Sequence, residues 1–149
     1  MSTRRPGLPE AEKVIEHARG RVELTSRGDV LATVASGHIV VGDARALTQF
    51  VEVVRRKHTS VRIFHDWEAV TGYDSEARVH LTRWTLSAPR KALAECHVLV
   101  RSRLVAMGVS TAALALHVVD VPLSSYSVRA EFEAKRAAAL ARALSANEA

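Results

Sequence analysis

The chain has 149 residues, is 48% hydrophobic and 25% charged, and carries a formal net charge of +5. This length favours one domain with a real core. No apolar stretch reaches the roughly 18 residues that a membrane-spanning helix needs. With Cys96 as the one cysteine, no internal disulfide is available. That residue lies in an apolar run and reads as a buried thiol. The opening MSTRRPGLPE has Arg4 and Arg5 but no apolar segment behind them, unlike a secretory signal. Residues 1–12 are expected to form a flexible arm and 13–149 a single domain, in a cytoplasmic protein.

Residues 13–36 read as strands. In RVELTS, Val22 and Leu24 alternate with Arg21, Glu23 and Thr25. RGD at 27–29 reads as a turn, with Gly28 supplying freedom. In DVLATVASG, Val30, Ala32 and Val34 alternate with Leu31, Thr33 and Ala35, and Gly37 ends the run. A hairpin fits this order. VIEHA, 14–18, is compatible with a strand or a helix end. The period then changes. Leu47, Phe50, Val51 and Val54 follow the i, i+3, i+4, i+7 spacing of a helix face, with Asp43 as N-cap. Arg55, Arg56 and Lys57 close that helix, where its dipole favours cations. SVRIFHDW, 60–67, is a short strand, followed by a loop, EAVTGY. A second helix is expected from about 75 to 87, ending near Pro89. CHVLV, 96–100, is a continuous apolar run, as in a strand covered on both faces. A third helix occupies part of 102–116, with Gly108 as a break point. A short strand falls within 118–126, and a last helix runs from about Ser127, as cap, to Leu144. There is no internal repeat. The alternation implies an α/β fold, a mixed and partly parallel sheet with helices packed on it.

Of the 21 basic residues, 17 are arginine. They are dispersed, and aromatic residues make up only 5%, so no stacking platform for single strands is apparent. No specific nucleic-acid partner is expected. The seven histidines, 17, 38, 58, 65, 80, 97 and 117, include no pair three or four apart. A helical metal pair is therefore missing, and one cysteine cannot build a thiolate zinc site. His97, inside the apolar run, reads as a core histidine with one hydrogen bond. No metal and no cofactor are expected. A serine hydrolase would need small flanks around its nucleophile. Ser75 has Tyr73 and Ala77 instead, and no glycine-rich phosphate loop is present. The chain does not read as an enzyme.

One stretch remains, HDWEAVTGYDSEARVHL. A strand ends at Asp66, a loop follows, and Asp74 and Ser75 open a helix. On local grounds Asp74 is a cap, its carboxylate accepting from free first-turn amides. The stretch also resembles the switch segment of STAS domains, the anti-sigma-factor antagonists. In that family a strand ends in Asp, and D-S-[ST]-G opens a helix whose first serine is phosphorylated by an anti-sigma kinase. Asp66 matches the strand-end acid, Asp74 the motif acid and Ser75 the serine. The family's second hydroxyl is Glu76 here and its glycine is Ala77. The order of elements over roughly 20–144 matches as well. The resemblance implies a STAS-like fold and a non-enzymatic regulatory module that binds another protein, such as an anti-sigma-type kinase. It makes Ser75 the candidate phosphorylation site, in a switch loop with Asp66, Tyr73, Asp74 and Glu76. A phosphate at Ser75 would change the local charge by about −1.5 to −2. The chain is also distantly similar to the Sec14-type fold, which implies the alternative of a carrier for a small apolar ligand or lipid.

The helix after Ser75 adds a second expectation. Ala77, Leu81, Trp84 and Ala88 form one stripe suited to the sheet. Val79 and Leu86, with Thr82 and Arg83 between them, lie on another face. A second apolar stripe needs another cover. One cover is a neighbouring helix of the same domain, such as that at 128–144. The other is a partner or a second copy, making a weak homodimer through Val79, Thr82, Arg83 and Leu86.

Overall fold

The computed structural model describes residues 11–88 and 92–147. Strands β1 (Ala11–His17), β2 (Gly20–Arg27) and β3 (Val30–Ile39) form an antiparallel meander. Helix α1 (Val41–Lys57) leads to β4 (Val61–Tyr73), α2 (Ser75–Ser87) to β5 (Leu93–Val100), and α3 (Arg103–Val118) to β6 (Leu123–Tyr126). Helix α4 (Arg129–Asn147) follows. The six strands lie in sequence order, with β3 to β6 parallel. This is the mixed, partly parallel sheet expected from the alternation.

The sequential order fixes the layers. Parallel crossovers are right-handed, so three successive steps in one direction put their helices on one face. Helices α1, α2 and α3 accordingly share a face, over a core that includes Leu24, Leu31, Val51, Val61 and Val98. Among the described residues, α4 alone of the helices packs on the opposite face, on Val30, Phe64 and Leu99 through Phe132, Ala139 and Ala143.

Several local expectations change. The uncertain VIEHA is strand, and β1 begins at Ala11, two residues before the expected domain start. The rest of the expected arm, residues 1–10, lies outside the described residues, as does Pro89. Gly37 does not end β3. It adopts φ +78°, and a Cβ there would meet the Arg19 carbonyl oxygen at 2.4 Å. The glycine thus lets β3 run beside the β1–β2 turn as far as Ile39. That extension gives the expected EAVTGY loop a ladder partner, so β4 continues to Tyr73 through two register shifts. Helix α1 starts at Val41, not at Asp43. Asp43 sits in its first turn, where Oδ2 accepts from the Val40 amide at 2.9 Å. Gly108 does not interrupt α3. A Cβ there would lie 2.7 Å from the Tyr73 hydroxyl, so glycine makes room for the ring. Helix α4 begins at Arg129 rather than Ser127.

Two expected core groups are found as read. His97 is buried, with Nδ1 2.8 Å from the Tyr126 hydroxyl and its ring stacked on Phe64 at 4.4 Å. Its Nε2 lies 3.3 Å from Glu95 but lacks hydrogen-bond geometry. Cys96 is a free buried thiol, which burial pushes up to about 12. In the folded protein a thiol reagent at mildly alkaline pH should therefore react with it only after denaturation. Rapid native reaction in an absorbance assay would contradict its burial.

Candidate functional site

The end of β4 and the start of α2 form a compact polar site. The Asp74 amide bonds to the Ile39 carbonyl at 2.9 Å, which ties the turn to the end of β3. Asp74 has extended backbone angles, and its carbonyl accepts from the Ala77 and Arg78 amides at 3.0 and 3.3 Å. Its carboxylate does not cap the helix, contrary to the local expectation. It turns outward. His38 Nε2 lies 2.7 Å from Oδ1, and Arg19 Nη1 lies 3.4 and 3.5 Å from the two oxygens. The His38 hydrogen bond, with help from the Arg19 charge, holds this carboxyl below the ordinary aspartate value.

The partners come from the meander. Gly20 and Gly37 are paired across β2 and β3, and the His38 amide bonds to the Arg19 carbonyl at 2.9 Å. Gly72 pairs with His38, and a Cβ on it would lie 3.1 Å from His38 Nδ1. Three glycines thus bring a histidine and an arginine to the acid ahead of Ser75. Sequence reading missed both, because they lie 36 and 55 residues from Asp74. The glycine spacing was the available signal.

Ser75 is the first residue of α2 and is exposed. Its hydroxyl has no hydrogen-bond partner among the described residues. Glu76 is exposed beside it, whereas Ala77 is buried in the core. First-turn amides have no partner within a helix, and the positive end of the dipole favours an anion there. Arg78 lies three residues on, within reach of a group on Ser75. Tyr73, half-buried, packs on Gly108 of α3.

Asp66 does not join this cluster. It is buried within β4, not at a strand end, and faces α4. Arg129 grips it with two bonds of 2.8 and 2.9 Å, and also reaches Glu68 at 3.2 Å and Glu133 at 3.1 Å. The bond to Asp66, followed by that to Glu133, raises the guanidinium above its ordinary value. Among the strand acids, then, the one matched to the family's pattern anchors a helix on the far face.

The other α2 residues divide as follows. Ala77 is buried, and Leu81 and Trp84 pack against the core, as the stripe predicted. Val79, Arg83 and Leu86 are exposed, and Thr82 is half-buried at a groove between α2 and α3. Helix α4 is on the opposite face, so it cannot be their cover. Beneath α2 are two apolar cavities of about 90 and 130 Å³. They share Trp67, Leu81, Thr85, Val109, Ala112 and Leu116. Among the described residues, no three His, Cys, Asp or Glu side chains gather closely enough to hold a metal ion. No helix among them is long and apolar enough to cross a membrane.

No family model and no curated protein match the chain. Solved structures do. An uncharacterized protein of the DUF3478 family from Shewanella loihica PV-4, described as having a SpoIIAA-like fold, superposes with a TM-score of 0.57 at 13% identity. The match covers 78% of this chain and 94% of that one. An anti-sigma factor antagonist from Mycobacterium paratuberculosis gives a TM-score of 0.49 at 17% identity, over 88% of this chain and 96% of that one. The fold is therefore SpoIIAA-like, a mixed α/β sheet with helices packed on it.

Proposed function

We propose that this protein is a non-enzymatic regulatory module that binds another protein and is switched by phosphorylation of Ser75. One observation carries the reading. Ser75 is an exposed hydroxyl without an internal partner, at a helix N-terminus that follows an acid already held by His38 and Arg19. A kinase can reach that oxygen without unfolding anything. The added phosphate would be favoured by the helix dipole, by the free amides and by Arg78. A partner seated over Tyr73, Asp74 and Glu76 would meet new charge and hydration, which oppose docking. The chain itself performs no reaction in this scheme, and a cytoplasmic anti-sigma-type kinase is the kind of partner it fits.

The test uses the partner that co-purifies with the tagged protein from its host. Ser75→Asp should weaken that complex at least about tenfold, or ~1.4 kcal/mol, with the fold intact by circular dichroism. Ser75→Ala should bind like the wild type. Equal affinity of all three proteins in a titration would remove Ser75 from the switch.

The alternative, a carrier for an apolar ligand, draws on the two cavities. Their sizes limit it. A dry cavity of roughly 150 Å³ accepts benzene, so spaces of about 90 and 130 Å³ suit a small apolar group. Native mass spectrometry of the purified protein separates the readings, since a carrier would arrive with a bound small molecule.

A further inference from the structure

The outer surface of α2 and α3 is unusual for a layer facing water. Helix α3 has no acidic residue, and no charged one between Arg103 and His117. Its outward crest carries Leu104, Met107, Leu114 and Val118, exposed at 54, 68, 71 and 71%. From Leu104 to Val118 the crest runs about 21 Å at ~1.5 Å per residue. On α2, which packs beside α3, Val79 and Leu86 are exposed as well. A contiguous apolar surface of this kind marks an interaction site.

The charges around it are mostly positive, the nearby acids being Glu76 at the start of α2 and Asp120 just past α3. Arg78, Arg83, Arg101 and Arg103 are exposed and have no ion-pair partner among the described residues. Glu76 is the only acid on either helix. Elsewhere Arg19, Arg21, Arg55, Arg62 and Arg129 are paired with acids. Arg45 and Arg56 on α1 and Arg136 and Arg142 on α4 are likewise without an acid, but beside the apolar crest four such arginines meet few acids, so its occupant should be anionic.

Three occupants compete. A second copy would set these arginines against themselves with almost no acid to offset them. A protein partner typically makes about one hydrogen bond per 100–200 Å² of interface. Apart from the arginines at its border this face offers few polar handles: the Thr85, Ser110 and Thr111 hydroxyls bond to the carbonyls of Leu81, Ala106 and Met107 in their own helices, at 2.8, 3.0 and 3.2 Å. A bilayer requires neither self-complementarity nor a hydrogen-bond pattern. It takes an apolar crest into the headgroup boundary and positive charge against anionic lipid.

We propose that the α2–α3 face docks on an anionic lipid bilayer, with Leu104, Met107, Leu114 and Val118 inserted and Arg78, Arg83, Arg101 and Arg103 at the headgroups. This surface adjoins the Ser75 switch, with Arg78 common to both, but bilayer docking requires no phosphate on Ser75. The test is co-sedimentation of the full chain with vesicles of phosphatidylcholine containing about one third phosphatidylglycerol. The wild type should bind these vesicles, should ignore pure phosphatidylcholine, and should be released by added salt. Met107→Asp, Leu114→Asp and, separately, Arg78→Glu, Arg103→Glu should each weaken binding at least about tenfold. Both pairs are exposed, so both variants should keep the wild-type circular dichroism. If one pair fails to fold, the other still decides. Absence of wild-type binding, equal binding to neutral vesicles, or undiminished binding by a folded variant overturns the proposal. So does a lipid-free dimer that the Met107→Asp, Leu114→Asp pair dissociates, which would assign the face to a second copy. A protein partner lost through that same pair, with vesicles ignored, overturns it likewise.

Discussion

Acidification from about pH 7 to about pH 4.5 should cost the fold about 3 kcal/mol, chiefly through one histidine. His65 is buried in the α1–α3 layer, and burial pushes its imidazole down to about 3. Its Nδ1 lies 2.7 Å from the Thr33 hydroxyl, which also accepts from Trp67 Nε1 at 3.2 Å. In the unfolded chain a histidine takes its proton near pH 6.5. Between about 6.5 and 3 the unfolded state therefore binds more protons, and stability falls as pH falls, by about 1.4 kcal/mol per unit. Above about 6.5 the full stability is present. Urea denaturation at the two pH values reads the difference directly. His65→Gln should flatten it, at some loss of stability near neutrality. Equal wild-type stability at both pH values would contradict the assignment, as would an unchanged slope in the variant.

Phe132→Ala should be the most damaging single truncation on the opposite face. The ring is fully buried and meets Phe64 edge-on at 6.1 Å and Tyr126 at 5.7 Å. Arg136 lies over it at 5.3 Å. Aromatic-to-alanine changes in a core cost roughly 3–5 kcal/mol, and here little else apolar can move in to fill the space. Chemical denaturation should show a loss in that range, and hydrogen exchange should accelerate along α4 before it does in α1. The environment of Ser75 should be unaffected, because the sheet separates the two. A loss below about 1 kcal/mol would mean that α4 is held mainly by the Asp66–Arg129 pair.

Period and polarity made the helices and the parallel sheet legible, because each crossover buries a stripe of spacing 3.6 against strands of spacing 2. The second half of β4 was not. EAVTGY contains no run of strand formers, and its ladder exists only because β3 passes through Gly37, a residue read as a stop. The site was half legible. Asp74 and Ser75 could be placed at a helix start from the local sequence. The direction of the Asp74 carboxylate could not, because it is set by His38 and Arg19 from a distant turn. Asp66 shows the converse. It resembles the strand-end acid of the STAS pattern, but it lies within β4, and which face its side chain takes depends on strand alternation and on Arg129, 63 residues later.

The placement of α4 has a consequence during synthesis. Every strand and all three helices of the other layer leave the ribosome before Phe132 does. Until then Val30, Phe64 and Leu99 have no cover of their own, although the sheet that carries them has its strands in hand. For that interval the nascent chain presents a wide sticky face to its neighbours. Chaperones that recognise apolar surface would have their longest opportunity there, and a chain arrested with β6 emerged but α4 still enclosed would display a domain folded on one side only.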